Sequence, residues 1–143
     1  MTGYAGDLEP KDAWNLMERE SRAVMVDVRT RAEWAFVGLP DLSPVGRQIQ
    51  LVEWQRFPDM ARNAVFEDEV RAALSELGAD KDAPVLFLCR SGQRSRMAAM
   101  AMTAAGFGAC YNVASGFEGD MDGARRRGQI NGWKASGLPW FQQ

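Results

Sequence analysis

The sequence predicts an α/β fold with a mainly parallel sheet, within one domain of 143 residues. Nearly continuous apolar runs at 23–28 and 84–88 are typical of strands that are covered on both faces, as in parallel sheets. Segments with apolar residues at helical spacing alternate with these runs, and this alternation favours βαβ units. In such sheets, ligands bind beyond the carboxyl ends of the strands.

The first half of the chain contains two predicted strands and two predicted helices. A helix begins near Pro10 and runs to about residue 20, since proline is favoured in the first turn. The strand at 23–28 follows it. Thr30 and Glu33 then form a capping-box pattern for a short helix. A further short strand is expected within 45–51.

The second half repeats this alternation. Apolar residues at helical spacing predict a helix over 66–77, and the strand at 84–88 follows. A polar, turn-like loop at 90–95 leads into an Ala- and Met-rich helix over 97–105. Each of these helices is followed by a glycine that can end it. The last predicted core strand is 110–113.

Composition excludes several classes of active site. The chain has no histidine, which rules out Ser-His-Asp triads, Cys-His pairs and His-ligated metals. The only two cysteines, Cys89 and Cys110, are too few for a zinc or iron–sulfur site made of cysteines. The net charge of −2 argues against a general nucleic-acid binder. A nucleophile in this chain therefore needs activation by something other than imidazole or metal.

The sequence carries no recognisable signal for membranes or export. Residues 1–9 lack a positive start and an apolar stretch, and no apolar run approaches the length of about 20 residues that spans a bilayer. We therefore expect a cytoplasmic protein that binds neither membrane nor nucleic acid.

The segment 89–95, Cys-Arg-Ser-Gly-Gln-Arg-Ser, is the strongest candidate for a site. Its cysteine leaves a buried strand and enters a polar loop that opens into a helix. Helix N-termini present unpaired N–H groups and partial positive charge, and a loop in front of them can form an anion nest. Gly92 permits backbone angles that a Cβ forbids, and Arg90 and Arg94 add positive charge. These features favour a Cys89 thiolate over an inert buried thiol.

Three stretches of the chain resemble single-domain rhodaneses, which are sulfurtransferases. The segment 89–95 is similar to their active-site loop, 26–34 (Val-Asp-Val-Arg-Thr-Arg-Ala-Glu-Trp) to their Asp-Val-Arg segment, and 132–139 (Gly-Trp-Lys-Ala-Ser-Gly-Leu-Pro) to their closing signature. The resemblance implies a three-layer α/β/α domain over 1–143 with a central five-stranded sheet. The chain looks expanded around 42–66 and 120–131, and both stretches are candidates for bordering the loop.

The resemblance also implies a reaction and its residues. The Cys89 thiolate takes sulfane sulfur from thiosulfate or a related anionic donor, becomes a persulfide, and passes the sulfur to cyanide, a thiol or a protein acceptor. Arg90, Ser91, Gly92, Gln93 and Arg94 are then expected to bind substrate, with Asp27, Arg29 and Ser95 in supporting positions. No cofactor and no metal are expected.

Two other functions stay open at this point. One is a sulfur-relay or regulatory module that binds a protein partner and turns over little thiosulfate, although the nucleophile favours the enzyme. The other is a cysteine phosphatase or arsenate reductase, although those phosphatases have five residues between cysteine and arginine where this loop has four. Cys110 is predicted to be an inert core thiol, and 125–127 (Arg-Arg-Arg) a solvated charge run.

Overall fold

The computed structural model describes residues 3–143. In chain order the elements are β1 (Gly6–Leu8), α1 (Pro10–Arg19), β2 (Val24–Asp27), α2 (Arg31–Phe36), β3 (Leu39–Pro40), a 3-10 turn (Ser43–Val45), β4 (Gln50–Leu51), β5 (Gln55–Arg56), β6 (Ala61–Arg62), α3 (Phe66–Glu76), β7 (Val85–Leu88), α4 (Gln93–Ala104), β8 (Cys110–Val113) and β9 (Trp140–Phe141). Over this range, no helix is long and apolar enough to cross a membrane.

The centre of the molecule is a five-stranded sheet in the order β1-β8-β7-β2-β4. Every pairing within it is parallel, which confirms the predicted fold class. The register of β2 and β7 places Asp27 beside Leu88. Asp27 and Cys89, which directly follows Leu88, therefore lie at the same carboxyl edge of the sheet.

Side chains alternate between the two faces of the sheet, and each face has its own apolar core. In β7, Val85 and Phe87 pack with Cys89 into the core that α3 and α4 cover, whereas Leu86 and Leu88 pack into the core on the α1 side. This division follows from the two-residue period of a strand. It gives three layers and sends the Cys89 side chain towards α4.

Most of the predicted elements are found with their bounds shifted by a few residues. The capping box at α2 is complete, because the Thr30 side chain accepts from the Glu33 backbone and Glu33 accepts from the Thr30 backbone. The largest shift is at α4, which begins at Gln93 and not at residue 97. The polar loop is therefore shorter than predicted, and Gln93, Arg94 and Ser95 form the first turn of the helix.

The sequence analysis missed the strands that depend on distant partners. β1 pairs with β8, β3 pairs with β9 in an antiparallel ladder near the C-terminus, and β5 pairs with β6 in a hairpin. The hairpin lies within 42–66, one of the two stretches predicted to be expanded. It lies beside the carboxyl edge of the sheet, and two of its residues therefore line the candidate site described below.

Candidate active site

Cys89 lies at the bottom of a turn between β7 and α4. The residue is 1% exposed, and its Sγ accepts a hydrogen bond from the Gly92 backbone N–H at 3.1 Å. The Ser95 Oγ lies 3.2 Å from the same sulfur. Since α4 begins at Gln93, the N–H groups of its first turn have no partner within the helix. The sulfur thus sits where donors and the positive end of a helix converge, which stabilises negative charge.

Two glycines make the turn possible. Gly92 adopts φ 107°, in the left-handed region that favours glycine, and this brings its N–H to the sulfur. Gly116 has φ 67° and lies behind the turn, where a Cβ would come within 2.5 Å of the Cys89 and Arg90 carbonyl oxygens. The next residue, Phe117, donates its backbone N–H to the Cys89 carbonyl at 2.8 Å. The loop is thereby held from behind by the chain that follows β8.

The cysteine opens into a cavity of about 310 Å³, lined by Glu33, Gln55, Met60, Cys89, Arg90, Ser91, Gln93 and Arg94. We call this cavity the mouth. Arg90 and Gln93 are exposed, and Ser91 and Arg94 are half-buried. The predicted residues 89–91, 93 and 94 are therefore brought together around one space, with Gly92 beneath it. The hairpin contributes Gln55 and Met60 to the lining of the mouth.

The charge of Arg94 is offset by an acidic partner that the sequence analysis did not assign to the site. Arg94 Nη1 and Nη2 donate to the two carboxylate oxygens of Glu33 at 2.7 and 3.0 Å. Burial raises the pKa of Glu33, but hydrogen bonds and charge from Arg94, with further hydrogen bonds from Thr30, outweigh it and lower the pKa. The Arg94 pKa is raised in turn, because the effect of Glu33 exceeds that of burial. The mouth thus contains an ion pair where the sequence suggested an uncompensated cation.

Asp27 and Arg29 lie outside the mouth and form a buried ion pair. Both side chains are fully buried, and Arg29 Nη2 is 2.7 Å from Asp27 Oδ2. Arg29 also donates to the Gly38 carbonyl at 2.7 Å and lies 4.3 Å from the ring centre of Phe117. Because Phe117 in turn holds the Cys89 carbonyl, this pair supports the loop from below and does not touch the space where a substrate would bind.

Ser95 connects the cysteine to a polar chain. Its Oγ lies 2.6 Å from Asn112 Oδ1, and Asn112 Nδ2 donates to Asp7 Oδ1 at 3.0 Å. Tyr4 donates its hydroxyl to the same Asp7 oxygen at 2.9 Å. The chain runs from the buried sulfur to the exposed Asp7 in the edge strand β1.

The remaining predicted residues lie away from the mouth. Cys110 is 1% exposed, and burial raises its pKa to about 11. It pairs in register with Val85, four residues before Cys89, so about 13 Å of strand separates the two cysteines and a disulfide is excluded. In the run 125–127, Arg127 donates to the Gly119 carbonyl at 2.7 Å, and the other two arginines are exposed. Among the described residues, none of 120–131 lines the mouth.

Some of the missed residues carried a weak signal in the sequence. Asn112 is a polar residue near the carboxyl end of an apolar strand, and that edge of a parallel sheet is where sites form. Glu33 stands in one of the three family-like stretches but was assigned only to helix capping. Gln55 and Met60 carried no signal, because their place beside Cys89 depends on how a long connection folds.

The chain is similar in sequence and fold to several known proteins. The family described as rhodanese-like domain matches residues 9–121, so the closing stretch 132–139 lies beyond the matched range. The crystal structure of Rv0390 from M. tuberculosis is similar with a TM-score of 0.87 and 48% identity, over 98% of this chain and 99% of that one. "Uncharacterized protein RC0915" of Rickettsia conorii is 40% identical over 130 residues, 90% of each chain. The polysulfide-sulfur transferase homodimer of Wolinella succinogenes shares the fold, with a TM-score of 0.58 and 23% identity over 96% of this chain and 78% of that one.

Proposed function

The chain belongs to the rhodanese-like domain family, and we propose that it is a sulfurtransferase that carries sulfane sulfur on Cys89. The observation that carries the proposal is the convergence of donors on one sulfur. The Gly92 N–H at 3.1 Å and the Ser95 hydroxyl at 3.2 Å both reach Sγ, at the start of α4 and at the floor of an open cavity. Such an environment favours a nucleophilic thiolate without histidine or metal.

In the first half of the reaction, the thiolate accepts sulfur from thiosulfate. Cys89 Sγ attacks the outer sulfur of the donor, and a new S–S bond forms. The bond between that sulfur and the sulfite group breaks, and sulfite leaves with its electron pair. The product is a Cys89 persulfide whose outer sulfur is negatively charged and extends into the mouth. The N–H groups of 91–94 and the side chains that line the mouth then stabilise this charge.

In the second half, a thiophilic acceptor removes the sulfur. Cyanide or a thiolate attacks the outer sulfur of the persulfide, and the Cys89 thiolate leaves with the electron pair of the broken S–S bond. No net oxidation occurs, and the enzyme returns to its starting state. Two small displacements thus replace one direct transfer between donor and acceptor.

The hairpin in 42–66 supports a role in acceptor selection. Met60 is 39% exposed at the hairpin and lines the mouth together with Gln55 and Arg94. We expect these side chains to admit a small anion and to restrict the approach of a bulky thiol. We therefore assign the limit on acceptor size to the hairpin.

The decisive experiment measures sulfur on Cys89 and its release. The purified protein is incubated with thiosulfate or with polysulfide, and intact-mass and peptide mass spectrometry locate any added sulfur atom. Thiocyanate formation after addition of cyanide reports turnover. We expect one added sulfur on Cys89 and turnover that Cys89→Ser abolishes.

Cys110→Ser is the matched control, because it replaces the other cysteine at a position about 13 Å along the sheet. It should keep both sulfur loading and turnover, provided that circular dichroism shows the native fold. Sulfur on Cys89 with no release to cyanide would favour the relay module over the enzyme. Turnover that survives in Cys89→Ser, or a folded wild type that neither donor loads, would overturn the proposal.

A further inference from the structure

A hydrogen-bonded chain of side chains joins the active-site sulfur to the edge strand of the sheet. From Cys89 Sγ it passes to Ser95 Oγ at 3.2 Å, to Asn112 Oδ1 at 2.6 Å, and from Asn112 Nδ2 to Asp7 Oδ1 at 3.0 Å. Ser95 is fully buried and Asn112 is 4% exposed, whereas Asp7 on β1 is exposed. The chain therefore couples a buried nucleophile to a charged group at the surface.

The carboxylate of Asp7 determines which way the Asn112 amide points. One of its oxygens accepts hydrogen bonds from both Asn112 Nδ2 and the Tyr4 hydroxyl. Burial, the hydrogen bond to Asp7 and the charge of Asp7 together raise the pKa of Tyr4, so its hydroxyl stays protonated and donates. An ionised carboxylate has no hydrogen to give, and Asn112 must turn its NH₂ group towards it. The amide oxygen is thereby presented to Ser95.

This orientation creates a competition for one hydrogen. The Ser95 hydroxyl has a single hydrogen but two acceptors within reach, Asn112 Oδ1 at 2.6 Å and Cys89 Sγ at 3.2 Å. When Cys89 is a thiol, its S–H donates to Ser95 and the Ser95 hydroxyl donates to Asn112, so every group is satisfied. When Cys89 is a thiolate, the Ser95 hydroxyl donates to the sulfur. Lone pairs of Ser95 Oγ and Asn112 Oδ1 then face each other across 2.6 Å with no hydrogen between them, which is unfavourable.

We propose that Asp7, acting through Asn112 and Ser95, is a positioning residue that biases Cys89 between its thiol and thiolate forms. The proposal deepens the sulfurtransferase assignment, because that reaction requires the thiolate. While the Ser95 hydroxyl donates to Asn112, the chain withholds this one hydrogen bond from the thiolate, which keeps the Gly92 N–H and the start of α4 as its stabilising groups. Turning the Asn112 amide over would free the Ser95 hydrogen for the sulfur, and the negative charge of Asp7 opposes that turn.

The substitution that tests this is Asp7→Asn, which keeps size and polarity but can donate. The new amide can donate to Asn112 Oδ1, Asn112 Nδ2 can then donate to Ser95, and the Ser95 hydrogen is left for Cys89. One hydrogen bond gained by the thiolate corresponds to about a three- to tenfold increase in its proportion. We therefore expect Cys89 in Asp7→Asn to react about three- to tenfold faster with neutral iodoacetamide at a pH where the wild type is mostly thiol.

The readout is the pH profile of alkylation, with the labelled Cys89 peptide quantified by mass spectrometry. Other charged groups near Cys89 and the chain are the Arg94–Glu33 pair of α4 and α2, the Asp27–Arg29 pair at the end of β2, the exposed Arg90, and Arg96 of α4, which interacts with Tyr4. None of them is altered by the substitution. The measurement needs only a reactive cysteine, so it remains interpretable if sulfur transfer itself is not found.

Two comparisons separate this relay from a general loss of negative charge. Glu9→Gln removes an exposed carboxylate close to Asp7 in sequence, which approaches Ser115 at 3.5 Å and makes no side-chain cap bond to α1. Its alkylation profile should coincide with that of the wild type. In a Ser95→Ala background, Asp7→Asn should produce no shift, because the link to the sulfur is gone.

The proposal is overturned if the Asp7→Asn profile coincides with that of the wild type while thermal unfolding shows an intact fold. It is also overturned if the shift persists undiminished in the Ser95→Ala background, since the effect would then be a Coulombic one that does not pass through the chain. If Asp7→Asn is too unstable to assay, Asn112→Ala tests the link on which the action of Asp7 depends, because it removes the acceptor that competes for the Ser95 hydrogen. It should accelerate alkylation, and an unchanged profile in that folded variant contradicts the relay.

Discussion

Glu33→Gln should strengthen the binding of an anionic sulfur donor, because it releases the charge of Arg94. In the wild type the two side chains form a two-point ion pair at 2.7 and 3.0 Å, and the pair contributes no net charge to the mouth. Glutamine is close in shape to glutamate and still satisfies the capping pattern with Thr30. The substitution therefore adds one positive charge to the mouth with little change in its shape.

The magnitude follows from Coulomb's law and the exposure of the pair. The side chains of Arg94 and Glu33 are 18% and 20% exposed, so they are partly screened by water. For a dianionic donor about 6 Å away and an effective dielectric constant of about 80, a unit charge contributes about 1.4 kcal/mol. Salt at physiological strength reduces this by about half. We expect the KM for thiosulfate to fall by about threefold to tenfold, with the larger effect at low salt.

The assay measures steady-state thiocyanate formation at two ionic strengths. It compares the wild type with Glu33→Gln, with Arg94→Ala and with the double variant. Arg94→Ala leaves Glu33 unpaired in the mouth and should raise the KM by a similar factor. The double variant Glu33→Gln with Arg94→Ala restores zero net charge and should return the KM close to the wild-type value. A KM that is unchanged in Glu33→Gln would refute the reasoning. So would a double variant that is as impaired as Arg94→Ala alone, because a specific contact and not charge would then be responsible.

Three further outcomes are expected. Asp27→Asn leaves the fully buried Arg29 without its counter-charge and should lower the free energy of unfolding by about 3–5 kcal/mol in urea titrations, whereas a loss below about 1 kcal/mol would mean that Arg29 finds another partner. Because the pKa of Glu33 is lowered on folding, its ionised form stabilises the fold above its ordinary value of 4.5, and this contribution is lost as the pH falls through the lowered value. The stability difference between wild type and Glu33→Gln should therefore shrink in acid melts, and a difference that stays constant with pH would contradict the role of Arg94. Met60→Ala should raise the rate with a bulky thiol acceptor severalfold while leaving that with cyanide unchanged; Met121→Ala, an exposed methionine in 120–131, is the control, and equal effects in both variants would remove the hairpin from acceptor selection.

The parts of this protein that the sequence predicts are those that depend on neighbouring residues. The apolar runs of β2 and β7 are buried on both faces and form strands near the expected positions. The Thr30–Glu33 capping box was readable because its partners are three residues apart. The loop at 89–92 was recognisable for the same reason, since cysteine, glycine and the start of a helix follow one another directly.

The start of α4 shows where local signals end. Residues 93–96 are polar and lack the apolar periodicity that marks a helix, so the predicted start at residue 97 was four residues late. What places the helix earlier is Gly92, whose positive φ turns the chain and directs its N–H to the sulfur. The strand β1 was missed because three residues containing a glycine form a strand only when β8 is beside them.

The sequence alone predicted the parallel sheet, the family and Cys89 as the candidate nucleophile. Only the tertiary structure decided the electrostatic surroundings of that nucleophile. Arg94 meets Glu33 across 61 residues, and Asn112 meets Asp7 across 105. The physical reason is that the order of parallel strands brings distant segments to one edge, and the pairing of charges and hydrogen bonds there depends on distances in space that no local pattern of residues encodes.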